Sequence, residues 1–453
     1  MRGPMRRLRS LTLRFTPATL LVASVVAPVV AFLADALSPR LAKAEVTIFD
    51  QDGWSFHTTG LVAAHYQLVT GDADANRTLA GGRITDEGSA TDVRDPTHPT
   101  TTLSNIRSGF IGTQIGFGVN RQVSPTVHIE SMLAISMEGI NSNRGQNIQK
   151  DVDYREGWAA IVSPYGTLKF GRMFGVFGEG SAEVMMMAYQ YGVGHPCSVA
   201  SATISCGSSG AGPLYAGFDS AIRYISPRIA GFQFTLSVAD PVVGGGVKMS
   251  PVPRVDTELN FDRTFGPLHL RLIAQTMYDR IESTTMGLVN AGVVTPGELT
   301  VHNVWGAMGT GIASIAGLKL GGGAWAGAGI GERVPFEQSD PTNPLSLDTT
   351  NELRNFRGFY GNAQYELANN SLTVGGGELF VQPTAADDIA AHNLVLLDQF
   401  EYHVTYHYKW DAIVFNLEYM HWHTDWHADP AMPDVAALKQ DLNFMGGGIN
   451  YLF

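Results

Sequence analysis

Cysteine and long apolar runs are the features that this sequence has least of. The 453 residues include two cysteines, and no stretch after Glu45 offers the roughly 18 consecutive apolar residues that a membrane-spanning helix needs. Helical periodicity between candidate strands, which a soluble α/β protein would show, is almost absent. These absences argue against a helical membrane protein and against a soluble α/β enzyme.

Basic charge is also scarce. The chain carries 30 Lys and Arg against 42 Asp and Glu, a net charge of −12. Residues 1–44 contain six Arg and one Lys against one acid, so the chain without them has −12 − 6 = −18. A nucleic-acid-binding protein would be basic. The balance fits an acidic solvated surface, or a water-filled lumen whose field favours cations.

The first 44 residues have the pattern of a cleaved signal peptide. A basic start that includes Arg6 and Arg7 precedes the apolar run Ala18–Leu33, and Ala42-Lys43-Ala44 offers a small-residue cleavage site. The alternative is a membrane-anchor helix, and both interpretations place the remaining chain outside the cytoplasm. No repeat or linker divides residues 45–453, so we expect one domain there.

Motifs for catalysis and cofactor binding are missing. The sequence has no Gly-x-Ser-x-Gly, no His-Glu-x-x-His and no phosphate-loop spacing, so we expect no enzyme activity, no cofactor and no metal. His421 and His423 would share one face of a strand, with His427 nearby, which also suggests a metal site. We interpret them as interfacial histidines at the rim of the fold.

What the sequence does have is alternation. About 16 runs alternate apolar and polar residues over lengths suited to a membrane strand. In Arg254–Thr264, for example, Val255 and Leu259 share one face, and Asp256 and Glu258 share the other. Short and long connections also alternate along the chain. This pattern predicts an all-β fold, a transmembrane antiparallel β-barrel of about 16 strands, which can cross a membrane because it has no open edge.

The stretch from Thr167 to Asp240 resembles a known family. Its pattern, GTLKFGR, then a long loop, then FDSAIRYISPRIAGFQF, is similar to the strand, constriction loop and hairpin of Gram-negative trimeric porins. The resemblance implies that residues 173–217 fold into the barrel and narrow its pore. It also implies a homotrimer in the outer membrane that passes ions and small hydrophilic solutes by passive diffusion.

The C-terminus resembles the same class of protein. The ending INYLF places Ile449, Tyr451 and the terminal Phe453 on one face of a final strand. It is similar to the signature by which outer-membrane barrels are recognised by the assembly machinery. The partners implied are this machinery, outer-membrane lipids and lipopolysaccharide, with no nucleic acid.

The resemblance also implies where the pore is narrow. In the family, basic side chains on the wall face acids on the inward loop, and the resulting field filters solutes. The matching wall positions here are Arg107 in NIRSGFIGT, Arg155 in DYREGWAA and Arg223 in AIRYISP. The matching acids are Glu179 and Glu183 in FGEGSAEVMMM.

The two cysteines lie in the same loop. Cys197 and Cys206 are nine positions apart in an exported chain, and an oxidising periplasm favours an intramolecular disulfide between them. A metal pair is less favoured, because no second ligand pair has matching spacing.

Several alternatives stay open from the sequence. The barrel could be a channel selective for sugars, phosphate or other anions, a structural or adhesive barrel with a closed lumen, or an outer-membrane lipase. The glycine runs 321–323, 375–377 and 446–448 within predicted strands suggest the close approach of another backbone, either the inward loop or a neighbouring barrel.

Overall fold

The fold of the chain is given by a computed structural model. It describes residues 46–72, 100–137, 152–193, 211–241, 247–248, 251–284, 289–290, 293–294, 299–331, 347–348, 352–386, 396–426 and 439–453. The predicted signal peptide, residues 1–44, lies outside these described residues. The strands are β1 Val46–Gln51, β2 Trp54–Asp72, β3 Thr100–Arg107, β4 Thr113–Ser124, β5 Val127–Met137, β6 Val152–Ser163, β7 Gly166–Phe174, β8 Phe218–Ile225, β9 Phe232–Ala239, β10 Val247–Lys248, β11 Arg254–Phe265, β12 Leu268–Thr284, β13 Val289–Asn290, β14 Val293–Val294, β15 Leu299–Ile315, β16 Leu318–Ala328, β17 Asn355–Leu367, β18 Asn370–Gln382, β19 Leu396–Trp410, β20 Ile413–Trp426 and β21 Lys439–Leu452.

All of these strands except β13 and β14, which pair with each other in a separate sheet, form a closed antiparallel barrel with 16 positions in its wall. The last strand, β21, pairs with both β20 and β2, so the sheet has no open edge. Strands β3 and β4 both pair with β2 and share one position in the wall. Among the described residues, no helix has the length and apolar character needed to cross a membrane.

The alternation of residue types sets the two faces of the wall. On β9, Phe234, Leu236 and Val238 are exposed on the outside, whereas Thr235 and Ser237 are buried on the inside. On β11, Asp256 and Glu258 likewise point inward. A wall that is apolar outside and polar inside suits a barrel surrounded by lipid. The predicted transmembrane barrel of about 16 strands is confirmed.

Two strand boundaries differ from the prediction. The alternating run Ile106–Val119 would suit a single strand, but residues 108–112 leave the sheet between β3 and β4. The Phe110 amide donates a hydrogen bond to the Gly192 carbonyl (2.8 Å), and its ring packs against Tyr189, so contact with the inward loop interrupts the ladder. Strand β1 was not predicted, because six residues show little alternation; it pairs with β2 through the turn at Asp52 and Gly53.

The described part of the connection from β7 to β8, residues 175–193 and 211–217, packs against the inner wall. It contains a helix, Glu179–Tyr189, which we call the loop helix. The loop helix packs against the inner wall formed by β15 to β19. The apolar side chains of the loop helix are therefore buried against the inner wall and are not exposed to external water.

Candidate functional site

The loop helix presents one narrow stripe to open space. Glu179, Glu183, Met186 and Gln190 keep solvent contact, whereas the residues between them are mostly buried. Their spacing of four, three and four residues places them along one face of a helix. The opposite face is apolar and lies on the wall. The helix therefore sets two carboxylates toward the lumen.

Wall side chains hold the helix at its backbone. The Nδ2 of Asn362 donates to the Val184 carbonyl (2.8 Å), and the Nε2 of Gln364 donates to the Met187 carbonyl (2.8 Å). The hydroxyl of Thr373 donates to the same Met187 carbonyl (2.9 Å). These bonds satisfy buried polar groups on both sides of the contact, which makes detachment of the helix unfavourable.

The end of the helix is anchored by a tyrosine. The Tyr189 hydroxyl lies 2.6 Å from Nδ1 of His403 and 3.3 Å from Oε1 of Glu401. Burial, and then the charge of Glu401, raise the pKa of Tyr189 well above its usual range, so the hydroxyl keeps its proton. Glu401 points inward but lies behind the loop helix, where Tyr189 covers it.

Glycines in the wall make room for the loop. A Cβ at Gly321 would lie 3.0 Å from Cγ2 of Val184, and one at Gly446 would lie 3.1 Å from Cγ2 of Val193. A Cβ at Gly377 would meet the carbonyl of Ala211. The sequence left two explanations for the glycine runs open. At Gly377 the approaching backbone is that of the inward loop, and at Gly321 and Gly446 valine side chains of the same loop approach the wall.

Three cations on the wall act on the acidic stripe. Arg271 on β12 pairs with Glu183, and Lys169 on β7 is the cross-strand neighbour of Arg223 on β8. The Nη2 of Arg223 also donates to the Phe174 carbonyl (2.6 Å), which fixes this side chain against the start of the loop. The carboxylates of the loop helix therefore face a basic part of the wall.

Glu179 has an unusual environment. Protein atoms crowd it from most sides, and this burial, followed by the negative charge of Glu258, raises its pKa to about 7. Arg223, Arg271 and Lys169 oppose the shift without cancelling it. Gln275 fixes the geometry, because its Nε2 donates to both Glu258 Oε2 (2.7 Å) and the Val176 carbonyl (2.7 Å) next to the helix.

The charges around the stripe balance. The six groups are Glu179, Glu183, Glu258, Lys169, Arg223 and Arg271. With all six ionised, the group has three negative and three positive charges. Because Glu179 titrates near neutral pH, binding of one proton changes the net charge of this group from zero to +1.

The predicted arginines are placed differently from one another. Arg223 acts on Glu179 as described. Arg155 points inward, because it is the extra residue of a β-bulge between β5 and β6, and its guanidinium lies 5.4 Å from the centre of the Phe218 ring. The bulge also turns Trp158 inward, under the Lys169 ammonium, whereas uninterrupted alternation from the exposed Tyr154 would place Trp158 outward.

Three of the predicted residues lie partly or wholly outside the described part of the chain. The backbone of Arg107 ends β3 opposite His65, and its side chain lies outside the described residues. Cys197 and Cys206 also lie outside them, so their disulfide stays a prediction.

Sequence reasoning missed Lys169 and Arg271, and it placed Glu258 on the polar face of its strand without assigning it to the constriction. Lys169 and Arg271 follow the inward parity of their strands, so alternation could have found them. Alternation does not show at which height of the wall the loop helix lies, and this height decides which inward charges face it.

A cavity of about 590 Å³ lies beside the stripe at the end of the barrel that carries the short turns. The loop side contributes Glu183, Met186 and Tyr191, and the wall contributes Lys319 and Lys409. Its lining mixes charged, aromatic and aliphatic groups. Water and small solutes can therefore occupy the space next to the acidic stripe.

Comparison with known proteins agrees with this architecture. A sequence profile of the Gram-negative porin family matches residues 22–306. OmpT, an outer membrane protein of Vibrio cholerae, has 14% sequence identity with a TM-score of 0.51, covering 90% of this chain and 99% of its own. The anion-selective porin from Comamonas acidovorans has 10% identity with a TM-score of 0.53, covering 88% of this chain and 100% of its own. No curated protein sequence matches this chain.

At these identities the two solved structures establish the shared fold alone. The family profile covers well over half of the 453 residues, and the chain closes into the barrel that such a family requires. An inward loop with a polar stripe completes the arrangement. The chain therefore belongs to the Gram-negative porin family and is a channel protein of the outer membrane.

Proposed function

We propose that the barrel passes ions and small hydrophilic solutes by passive diffusion, and that its narrowest zone lies between the loop helix and the wall of β7, β8, β11 and β12. The observation that carries this proposal is the pair of carboxylates on the loop helix, Glu179 and Glu183, beside the wall cations Lys169, Arg223 and Arg271, of which Arg271 contacts Glu183 directly. Opposed charges in a narrow water-filled zone select solutes by charge and dipole. Such transport uses no catalytic residue and no cofactor.

We further propose a modest preference for cations. The chain without residues 1–44 carries −18, and this surplus supports the preference. The charges of the six groups at the stripe sum to zero, so the excess negative charge lies in the rest of the lumen and at the rims of the barrel. Beyond a Debye length of about 10 Å at 0.1 M salt, these charges are largely screened.

The assembly is also a proposal. A homotrimer is the form implied by the resemblance to trimeric porins, and it would cover part of the apolar outer wall, with lipid and lipopolysaccharide covering the remainder. The terminal Phe453 exchanges backbone hydrogen bonds with Gly60 (2.7 and 3.1 Å), which completes the seam where the barrel closes. If the assembly machinery recognises Phe453, it would hold the last strand at this seam before the barrel closes.

Shortening the loop tests the proposed constriction. Removing residues between Gly180 and Gly210 takes away most of the loop helix, so single-channel conductance should rise and larger sugars should enter in a liposome-swelling assay. The matched control removes residues between 332 and 346, a connection at the opposite end from the short turns, and should leave both readouts nearly unchanged. A folded barrel whose conductance and size limit do not respond to loss of the loop helix would refute the proposal.

Charge reversal tests which wall faces the stripe. Arg223→Glu should change the reversal potential in a KCl gradient, because Arg223 acts directly on Glu179. Arg263→Glu is the control, since Arg263 lies on the outside of β11 over the Phe265 ring. A closed structural barrel would show no conductance in either protein, and an outer-membrane lipase would show esterase activity.

A further inference from the structure

A cluster of metal-ligating side chains lies away from the lumen, on the outer face of β19 to β21. Asp398, His423 and Asp425 each place one ligand atom within 4.8 Å of the others. They lie at the end of the barrel opposite the short turns, where β19 begins and β20 ends. All three are partly exposed, so a hydrated ion can reach them.

The backbone fixes the relative positions of these side chains. Asp398 and Asp425 are directly paired across β19 and β20. His423 lies two residues before Asp425 on the same strand, and residues two apart share one face. The His423 ring also stacks on Phe400, with ring centres 4.9 Å apart, which limits its rotation.

A fourth residue orients the imidazole. The Nδ1 of His423 lies 2.7 Å from Oδ1 of Asp441 on β21, and the Nε2 lies 3.2 Å from Oδ1 of Asp425. A proton on Nδ1, donated to Asp441, leaves the Nε2 lone pair directed at two carboxylates. A carboxylate behind a histidine in this way is the usual outer shell of a metal-bound imidazole.

We propose that Asp398, His423 and Asp425 bind a divalent transition-metal ion of the zinc class, with Asp441 as the positioning residue. One imidazole nitrogen and two carboxylates suit Zn²⁺, whereas Ca²⁺ and Mg²⁺ prefer oxygen ligands alone. Ligand atoms around a tetrahedral ion with bonds of about 2.0–2.2 Å lie about 3.3–3.6 Å apart. The observed limit of 4.8 Å requires only small side-chain rotations to reach this spacing.

The site differs from the one that the sequence suggested. His421, which has the same parity, is 3.1 Å from Asn443 and 3.4 Å from Asp441 through its two ring nitrogens, and it does not belong to the ligand group. His427 lies outside the described residues. Two of the three ligands and the positioning residue are acids, and Asp398 and Asp441 are brought to His423 by strand pairing rather than by sequence spacing.

Zinc binding to the untagged full-length porin, purified in detergent and treated with EDTA, tests the proposal. Isothermal titration with ZnCl₂ should give one saturable site per chain, and Co²⁺ should give the visible absorption of a tetrahedral site. His423→Gln should weaken binding at least tenfold, and Asp441→Asn should weaken it by about 10- to 100-fold, as loss of an outer-shell partner does. The control is His128→Ala, because His128 pairs with a single carboxylate, Glu130 (2.8 Å), and it should bind as the wild type does.

Three outcomes would overturn the proposal. The first is no saturable zinc binding in the wild type. The second is equal affinity in the wild type and in both His423→Gln and Asp441→Asn, which would place the zinc elsewhere. The third is a Ca²⁺ affinity that matches that of Zn²⁺ and survives His423→Gln. If His423→Gln fails to fold, the zinc affinity of Asp441→Asn alone decides the question, since this variant keeps all three ligands.

Discussion

The most direct consequence of the site geometry is that ion selectivity should depend on pH through Glu179. Its raised pKa, about 7, means that the carboxyl group stays protonated at pH 6 and becomes charged as the pH rises through neutrality. One pH unit on either side of the pKa leaves about one-tenth of the groups charged at pH 6 and about nine-tenths charged at pH 8. The six-group balance is therefore close to zero at pH 8 and close to +1 at pH 6.

The size of the effect follows from one charge next to the ion path. At roughly 6 Å and the dielectric constant of water, a unit charge changes the energy of a passing ion by about 0.7 kcal/mol. This corresponds to about a threefold change in local K⁺ concentration at 25 °C, and the opposite change for Cl⁻. We expect the K⁺/Cl⁻ permeability ratio to fall severalfold between pH 8 and pH 6.

Reversal potentials in a KCl gradient across planar bilayers measure this ratio. Glu179→Gln should remove the Glu179 contribution at all pH values, so its profile should be flatter than that of the wild type. Glu183→Gln is the matched control on the same helix face, and it should shift the ratio while keeping the pH step. Histidines also gain charge over this range, and their contribution is common to all three proteins.

The reasoning is refuted by either of two results. In the first, the wild-type ratio stays constant from pH 6 to pH 8. In the second, Glu179→Gln shows the same step as the wild type, which would assign the step to the histidines.

Three more predictions concern the loop. Gly321→Leu should raise the noise or the mean of the single-channel conductance, because the new side chain displaces the loop helix at Val184. The control is Gly309→Leu, whose Cβ meets no neighbouring atom within 4 Å and which should leave the conductance unchanged. Tyr189→Phe should lower loop stability by about 1 kcal/mol through loss of its hydrogen bond, seen as faster protease cleavage of the loop. Mass spectrometry of non-reduced peptides should find Cys197 linked to Cys206, and free thiols on both would contradict this.

Much of the barrel could be predicted from the sequence because the signal is repeated. Each strand buries one set of alternate residues and exposes the other, so a single pattern recurs about 16 times and errors at one strand do not alter the fold. Arg223 on β8 shows this well, since its inward direction follows from the outward Ile222 and Tyr224. Trp158 shows the limit, because the one-residue bulge at Arg155 reverses the parity around it.

The sequence by itself determined which side chains face the lumen wherever a strand has no bulge. Only the tertiary structure decided which of these inward residues face one another. Glu183 and Arg271 are 88 positions apart in sequence, and the height at which the loop helix lies brings them together. On the outer face, Asp398 meets His423 through the pairing of β19 with β20. Alternation has a period of two residues and carries no information about height, so the partners of a charge depend on long-range packing.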